Sequence, residues 1–276
     1  MANHKISSTY NNTPVEVKWT NNDAIRTMIT YQVQSDHWPI DEIDTSIPWD
    51  ELPPHEFTFT DEQMLSELEA HLAVRLERYG KYLIDENPKK IISIGPGLST
   101  FEAAVCKLNS DCHMYLVDRS EITYPEKFLH AENPIVNSVS PGYVDWGFRN
   151  SFGIVEDIFA ATDINTTRFT ELDPTDSWPD GDVDVVLSIF SWMWEYPKET
   201  YWQKAIRSLK TGGKLICTLK FIPDRDVVTE ITNALGSEPV VIPWLIDEWN
   251  LDDAHKSHLT VVNGAYGGVY VWTKAN

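Results

Sequence analysis

Apolar residues follow two alternating periods along the chain. Short β-branched runs give way to stretches where apolar side chains recur every three or four positions, the pattern of strands and helices in turn. The clearest helix is Thr60–Tyr82. Thr60 can cap it, Asp61 and Glu62 suit its first turn, and Leu65, Leu68, Leu72, Leu76 and Tyr79 form one stripe. Lys90–Ile94 then reads as a buried strand, and Phe101, Ala104, Val105 and Leu108 as the inner face of a helix. Further strands are expected at His113–Val117, Thr167–Leu172, Asp184–Phe190 and Lys214–Leu219. Helices are expected at Asn150–Ala161, Pro197–Leu209 and Asp224–Leu235, with Lys210-Thr211-Gly212-Gly213 as a glycine C-cap on the second. His258–Val262 and Gly268–Trp272 read as two closing strands around Asn263-Gly264.

Two regions resist this pattern. Met1–Thr60 has weak periodicity and many turn residues, with Ala24–Val33 readable as a short helix or a short strand. Its Trp and Ile content argues against full disorder, so residues 1–60 are expected to be an arm or lid on a main domain of residues 61–276. Residues 119–148 form a long irregular insertion with Tyr124, Phe128, His130, Tyr143 and Trp146, and loops of that length usually bind or cover a ligand.

Composition narrows the function. At 276 residues and 42% hydrophobic, the chain can bury a sizeable core, and no apolar run reaches the length of a membrane span. Residues 1–18 lack a signal peptide's apolar centre. Three cysteines, Cys106, Cys112 and Cys217, show no metal-ligand spacing, and their odd number argues against a disulfide framework. A reducing, cytoplasmic setting is expected. The net charge is −20, and ten acidic residues with no Lys or Arg lie between Asp41 and Glu69. Such a surface repels phosphate backbones and makes a nucleic-acid partner an unfavoured expectation. Eleven Trp, several in polar stretches, fit a pocket for an apolar or ring-bearing ligand.

The chemistry gathers at Gly95-Pro96-Gly97 and Asp118. Two glycines one residue apart end a strand and precede a helix, so the backbone can turn sharply and admit a ligand, though an ordinary βα turn has the same look. Asp118 ends the next strand, 23 residues beyond Gly95. In a βαβ unit, a carboxylate there lies beside the glycine turn and can accept from both ribose hydroxyls of a nucleoside.

The order of these elements, ending in Leu-Lys-Thr-Gly-Gly-Lys-Leu and a terminal strand pair, resembles the class I, Rossmann-like, S-adenosylmethionine-dependent methyltransferase superfamily over about residues 86–274. The resemblance implies an α/β fold with a doubly wound, mostly parallel seven-stranded sheet, its last strand antiparallel. It implies that Gly95, Pro96 and Gly97 cradle the methionine and ribose of S-adenosylmethionine, with Ser93 and Arg119 close by. It implies that Asp118 holds the ribose, Asp173 the adenine amino group, and that Ser188 faces the reacting methyl. Phe190, Trp192, Trp194 and Trp146 are the expected substrate contacts. Ser93 stands where the family has an acidic residue, and Ser99 where it has a third glycine.

The expected activity is methyl transfer, without a metal, to a small-molecule or sugar-like acceptor. Candidate bases are His130, Lys220 and His258, chosen by residue type and strand-end or loop placement. Two other readings stand beside it. One is a ribose 2′-O RNA methyltransferase, with Lys220-Phe221 near the expected lysine. The other is a cofactor-binding interaction module without turnover. A nicotinamide oxidoreductase ranks lower, because Thr100 ends the Gly-x-Gly-x-x-Gly pattern.

Overall fold

The computed structural model describes residues 4–20, 60–118, 152–189, 191–192, 200–218, 225–243 and 268–275. Its N-terminus is a β-hairpin of His4–Tyr10 (β1) and Thr13–Trp19 (β2), paired from His4↔Trp19 to Tyr10↔Thr13. Ile6 on one strand and Val15, Val17 and Trp19 on the other are buried, the period-two signature of a strand with one face inward. Asn11 and Asn12 both have positive φ, 48° and 62°, as a two-residue hairpin loop matched to strand twist requires. This hairpin occupies the start of the segment expected to be an irregular arm. The rest of that segment, residues 21–59 with Ala24–Val33, lies outside the described residues.

Three helices receive the hairpin: Asp61–Gly80 (α1), Thr100–Leu108 (α2) and Phe152–Ala161 (α3). In α1, Thr60 Oγ1 accepts from the Gln63 amide at 3.2 Å, and Gln63 Oε1 accepts from the Thr60 amide at 2.9 Å, a closed capping box. Met64, Leu68, Leu72, Leu76 and Tyr79 form its buried stripe, and a single π-helical turn, Lys81–Asp85, continues it through buried Leu83. The hairpin's outer edges are tied to helix side chains. The Ser7 amide donates to Glu69 at 2.8 Å, and the Lys18 and Thr20 amides donate to Thr162 and Asp157 at 2.9 and 2.8 Å. Each edge of the two-stranded ribbon thus gives at least one amide to a side chain outside it. Tyr10 lies over Gly80, where a Cβ would meet its ring at 2.3 Å, and its hydroxyl donates to Asp85 at 2.8 Å.

The main sheet contains Lys90–Ile94 (β3), His113–Val117 (β4), Phe169–Leu172 (β5), Val183–Ser188 (β6), Leu209–Thr218 (β7), Val240–Pro243 (β8) and Gly268–Thr273 (β9). Its order is β5-β4-β3-β6-β7-β9-β8, parallel from β5 through β7, with β9 antiparallel to both β7 and β8. One face, with Ile91, Met114, Leu116 and Val185, packs on α1–α3. The other, with Ile92, Ile94, Val117 and Val186, packs on Trp202–Ser208 (α4) and Arg225–Leu235 (α5). The doubly wound sheet and its closing antiparallel strand are as the resemblance implied.

One local expectation is corrected. Gly212-Gly213 does not cap a helix: α4 ends at Ser208, and residues 210–213 bulge within β7, where the register jumps from Val183↔Leu209 to Val185↔Lys214. Gly213 is needed for space, since a Cβ there would lie 2.9 Å from the Lys210 and Val183 carbonyl oxygens. Lys210 reaches from this bulge to Asp184, whose other oxygen accepts from the Lys89 and Lys90 amides at 2.8 Å each. Burial pushes the Asp184 carboxyl up, but these bonds hold it below its usual range. Among the described residues, the strand beside β9 at the sheet edge is β8; the strand expected at His258–Val262 lies outside the described residues.

Candidate functional site

β4 and β5 lie on one side of β3, and β6 lies on the other. The strand order therefore reverses beside β3, and a doubly wound sheet opens its ligand crevice at the carboxyl ends of the strands there. The Gly95–Ser99 turn begins at that point. Gly95, Gly97 and Ser99 have φ of 64°, 59° and 58°, so the backbone enters the left-handed region at every second residue. Ser99 takes the position of a third glycine and bears the strain that a Cβ adds there. Its φ keeps it from capping α2 with its side chain, and its hydroxyl is buried without a hydrogen-bond partner.

Gly95 is required by the protein itself. A Cβ on it would fall 2.0 Å from Ser191 Oγ and 2.3 Å from Ser191 Cβ, so the chain leaving β6 packs directly on the turn. Ser188, expected to face a reacting methyl, is fully buried. Its hydroxyl donates to the Ile94 carbonyl at 3.3 Å and accepts from the Trp192 amide at 2.9 Å, which ties the ends of β3 and β6 together. Trp192, expected to contact substrate, is also fully buried, with its ring 6.2 Å from Tyr201 and 6.5 Å from Trp202. Trp192 thus packs at the end of β6 among the aromatic side chains Tyr201 and Trp202.

The next two strand ends follow in step. The Gly95 amide donates to the Val117 carbonyl at 2.9 Å, and the Asp118 amide to the Leu172 carbonyl at 3.2 Å. Gly95, Asp118 and Asp173 therefore stand at the ends of three adjacent strands, with both aspartates half-buried. Asp173 Oδ1 accepts from the Thr175 amide and hydroxyl at 2.9 and 2.6 Å, and the Asp173 amide donates to Asp176 at 2.8 Å. This tight local turn fixes the direction of the Asp173 carboxylate.

A carboxylate does stand by the turn, from a residue that sequence reading missed. Ser93 is buried and donates to Glu102 Oε1 at 2.7 Å, while Glu102 Oε2 is buried without a partner. Burial pushes the Glu102 carboxyl up, with the Ser93 hydroxyl and the charge of Arg75 pulling the other way. Ser99-x-x-Glu102 has the spacing of a capping box, but the left-handed Ser99 turns Glu102 inward to Ser93 instead. The available signal was an acidic residue in a helix's first turn, on the same face as Phe101 and Val105.

Arg119, His130, Trp146, Phe190, Trp194, Lys220 and His258, with the 119–148 insertion, lie outside the described residues. Among the described residues, no three His, Cys, Asp or Glu side chains gather in a way that could hold a metal ion. None of the described helices is long and apolar enough to cross a membrane.

This strand order, with its antiparallel β9, is that of a Rossmann-like, doubly wound sheet. Many of the solved structures that the chain resembles are S-adenosylmethionine-dependent methyltransferases. A chain from the complex between the Haloferax volcanii Trm112 methyltransferase activator and a methyltransferase is 13% identical, with a TM-score of 0.42, over 79% of this chain and 100% of that one. The S-adenosylmethionine-dependent methyltransferase SibL, in its apo form, is 13% identical, with a TM-score of 0.45, over 98% and 82%. P. horikoshii TYW2 in complex with MeSAdo is 10% identical, with a TM-score of 0.40, over 71% and 62%. No protein-family model and no curated protein matches the chain.

Proposed function

We propose that this protein binds S-adenosylmethionine and transfers its methyl group, without a metal, to a small-molecule or sugar-like acceptor. The observation that carries the reading is the alignment of the Gly95–Ser99 turn, Asp118 and Asp173 along three neighbouring strand ends at the switch point. Neighbouring strands lie about 4.8 Å apart, so a nucleoside can lie across three strand ends with its ribose at the middle carboxylate. The donor set also fits. Asp118 offers acceptors for a ribose diol, and Ser99 Oγ and Glu102 Oε2, both buried and unpaired, leave hydrogen-bonding capacity at the turn.

When bound, the cofactor supplies an electrophilic methyl on a sulfonium that leaves as a neutral thioether, so the displacement itself calls for no Lewis acid. The protein's part is alignment and exclusion of water. In this reading Gly95, Pro96 and Gly97 let the backbone approach the cofactor, and Asp118 orients the ribose. Ser188 and Ser191 hold the turn in place from the β6 side. Residues 119–148, and the arm beyond Thr20, are assigned to the acceptor side. The net charge of −20 favours a small acceptor over RNA.

Calorimetric titration tests this. S-adenosylmethionine and S-adenosylhomocysteine should bind, and NAD should bind much more weakly. Tighter binding of NAD than of both sulfur nucleosides would sink the methyltransferase reading. Release of S-adenosylhomocysteine with candidate acceptors then separates an enzyme from a cofactor-binding module.

A further inference from the structure

The far end of α2 holds a feature that methyl transfer does not use. Cys106 lies in its last turns, and Cys112 immediately precedes β4. Both are buried, and their sulfurs are 3.6 Å apart. Arg168, beside β5, reaches across to this turn. Its Nη2 donates to the Asn109 carbonyl at 2.7 Å and to the Cys112 carbonyl at 3.2 Å, and lies 3.6 Å from Cys112 Sγ. A guanidinium at that distance favours a thiolate. The contact with Cys106 holds the Cys112 thiol below its usual range, Arg168 adding to this while burial opposes it. The same contact, with burial, pushes Cys106 up. The guanidinium beside Cys112 marks it as the sulfur to attack, with Cys106 to follow.

We propose that Cys106 and Cys112 are a peroxide-oxidisable dithiol that closes to a disulfide in the folded protein. The Cys112 thiolate attacks one oxygen of a hydroperoxide, forming an S–O bond as the O–O bond breaks and the leaving oxygen takes a proton. Cys106 then attacks that sulfur, loses its proton and displaces hydroxide, which leaves as water. Two thiols and one hydrogen peroxide become one disulfide and two waters, so hydroperoxide is the sole oxidant required. The sulfurs must close from 3.6 Å to about 2.05 Å, a side-chain movement of about 1.5 Å. Both sulfurs are buried, but Ser110 and Asp111, in the turn between them, are exposed, so local opening of this surface turn is the route by which the oxidant reaches the pair. Cys217 lies on the opposite face of the sheet and takes no part.

The bond would fasten the end of α2 to the start of β4, away from the glycine turn at the other end of the helix. Its test is therefore independent of cofactor binding. Reduced, folded wild-type protein is treated with hydrogen peroxide, free thiols are blocked, and the protein is digested with trypsin. Trypsin cuts after Lys107, between the two cysteines. The expected product is a disulfide-linked pair of peptides carrying Cys106 and Cys112, with titratable thiols falling from three to one and Cys217 still blocked as a free thiol. Two results would overturn the proposal. One is retention of all three thiols, or their over-oxidation without a link, at a peroxide dose that oxidises glutathione. The other is a cross-link that includes Cys217.

Discussion

Glu171 lies on the edge strand β5, with one carboxylate oxygen buried and without a hydrogen-bond partner. Its carboxyl is pushed up from 4.5 to about 7, by burial first and by Glu156 next. The fold thus favours the neutral acid. That contribution is complete below the unfolded value near 4.5 and is lost as pH rises through about 7. Solvent screening of this partly exposed group leaves an effect of about 1 kcal/mol. Glu171→Gln should raise the thermal midpoint relative to wild type more at pH 8 than at pH 5, and an equal gain at both would contradict this account. Glu102 is the deeper case. Glu102→Gln keeps a partner for Ser93 and removes a carboxyl whose ionisation burial disfavours, so at pH 8 it should be at least as stable as wild type. Glu102→Ala leaves the Ser93 hydroxyl unpaired beside a cavity and should cost about 2–4 kcal/mol in urea unfolding. Ser93 was legible as a departure from the pattern that the sequence resembles. Its compensation was not, because a left-handed Ser99 decides which way Glu102 turns, and residue type does not announce that conformation.

Helices α1 and α2 and strands β3–β7 were legible because each has a period strong enough to read locally. The hairpin was not, although Val15, Val17 and Trp19 alternate and Asn11-Asn12 suits its turn. Only Ile6 of β1 is buried among the apolar side chains of that strand, so half of the signal is missing. What stabilises the ribbon is its docking on α1, α2 and α3, a set of contacts between residues far apart in sequence. Trp19 is 1% exposed in that layer. Trp19→Ala should cost about 3–5 kcal/mol in chemical denaturation. A loss under 1 kcal/mol would mean that the hairpin is dispensable to the domain. Strand β8 escaped notice for a related reason. It has four residues, Val240 and Val241 are 61% and 46% exposed, and its partner β9 follows a long intervening segment. Gly212-Gly213 misled because two glycines after a helical pattern resemble a cap, whereas here they make a bulge beside Val183.

At the scale of the whole molecule, the reversal of strand order beside β3 brings distant parts of the chain to one rim. Gly95, Asp118 and Asp173 are legible in sequence because each follows a strand that reads clearly. Ser188 and Trp192 carried no such guide to their orientation, and both are fully buried, with the Ser188 hydroxyl bonded to the Ile94 carbonyl and the Trp192 amide. The central claim is that a nucleoside lies across this rim with its ribose on Asp118. Two charge-assisted hydrogen bonds to a diol contribute roughly 1.5–3 kcal/mol each where water is excluded. Asp111 is a fitting control. It lies before the same strand, exposed and paired with Lys89 at 2.9 Å. The most direct measurement is calorimetric affinity for S-adenosylhomocysteine in wild type, Asp118→Ala and Asp111→Ala, each checked for folding by circular dichroism. The account predicts that Asp118→Ala binds roughly ten- to a hundredfold more weakly, at about 1.4 kcal/mol per decade, and that Asp111→Ala binds like wild type. A folded Asp118→Ala that binds as tightly as wild type would contradict the placement of the nucleoside, and with it the assignment of the site.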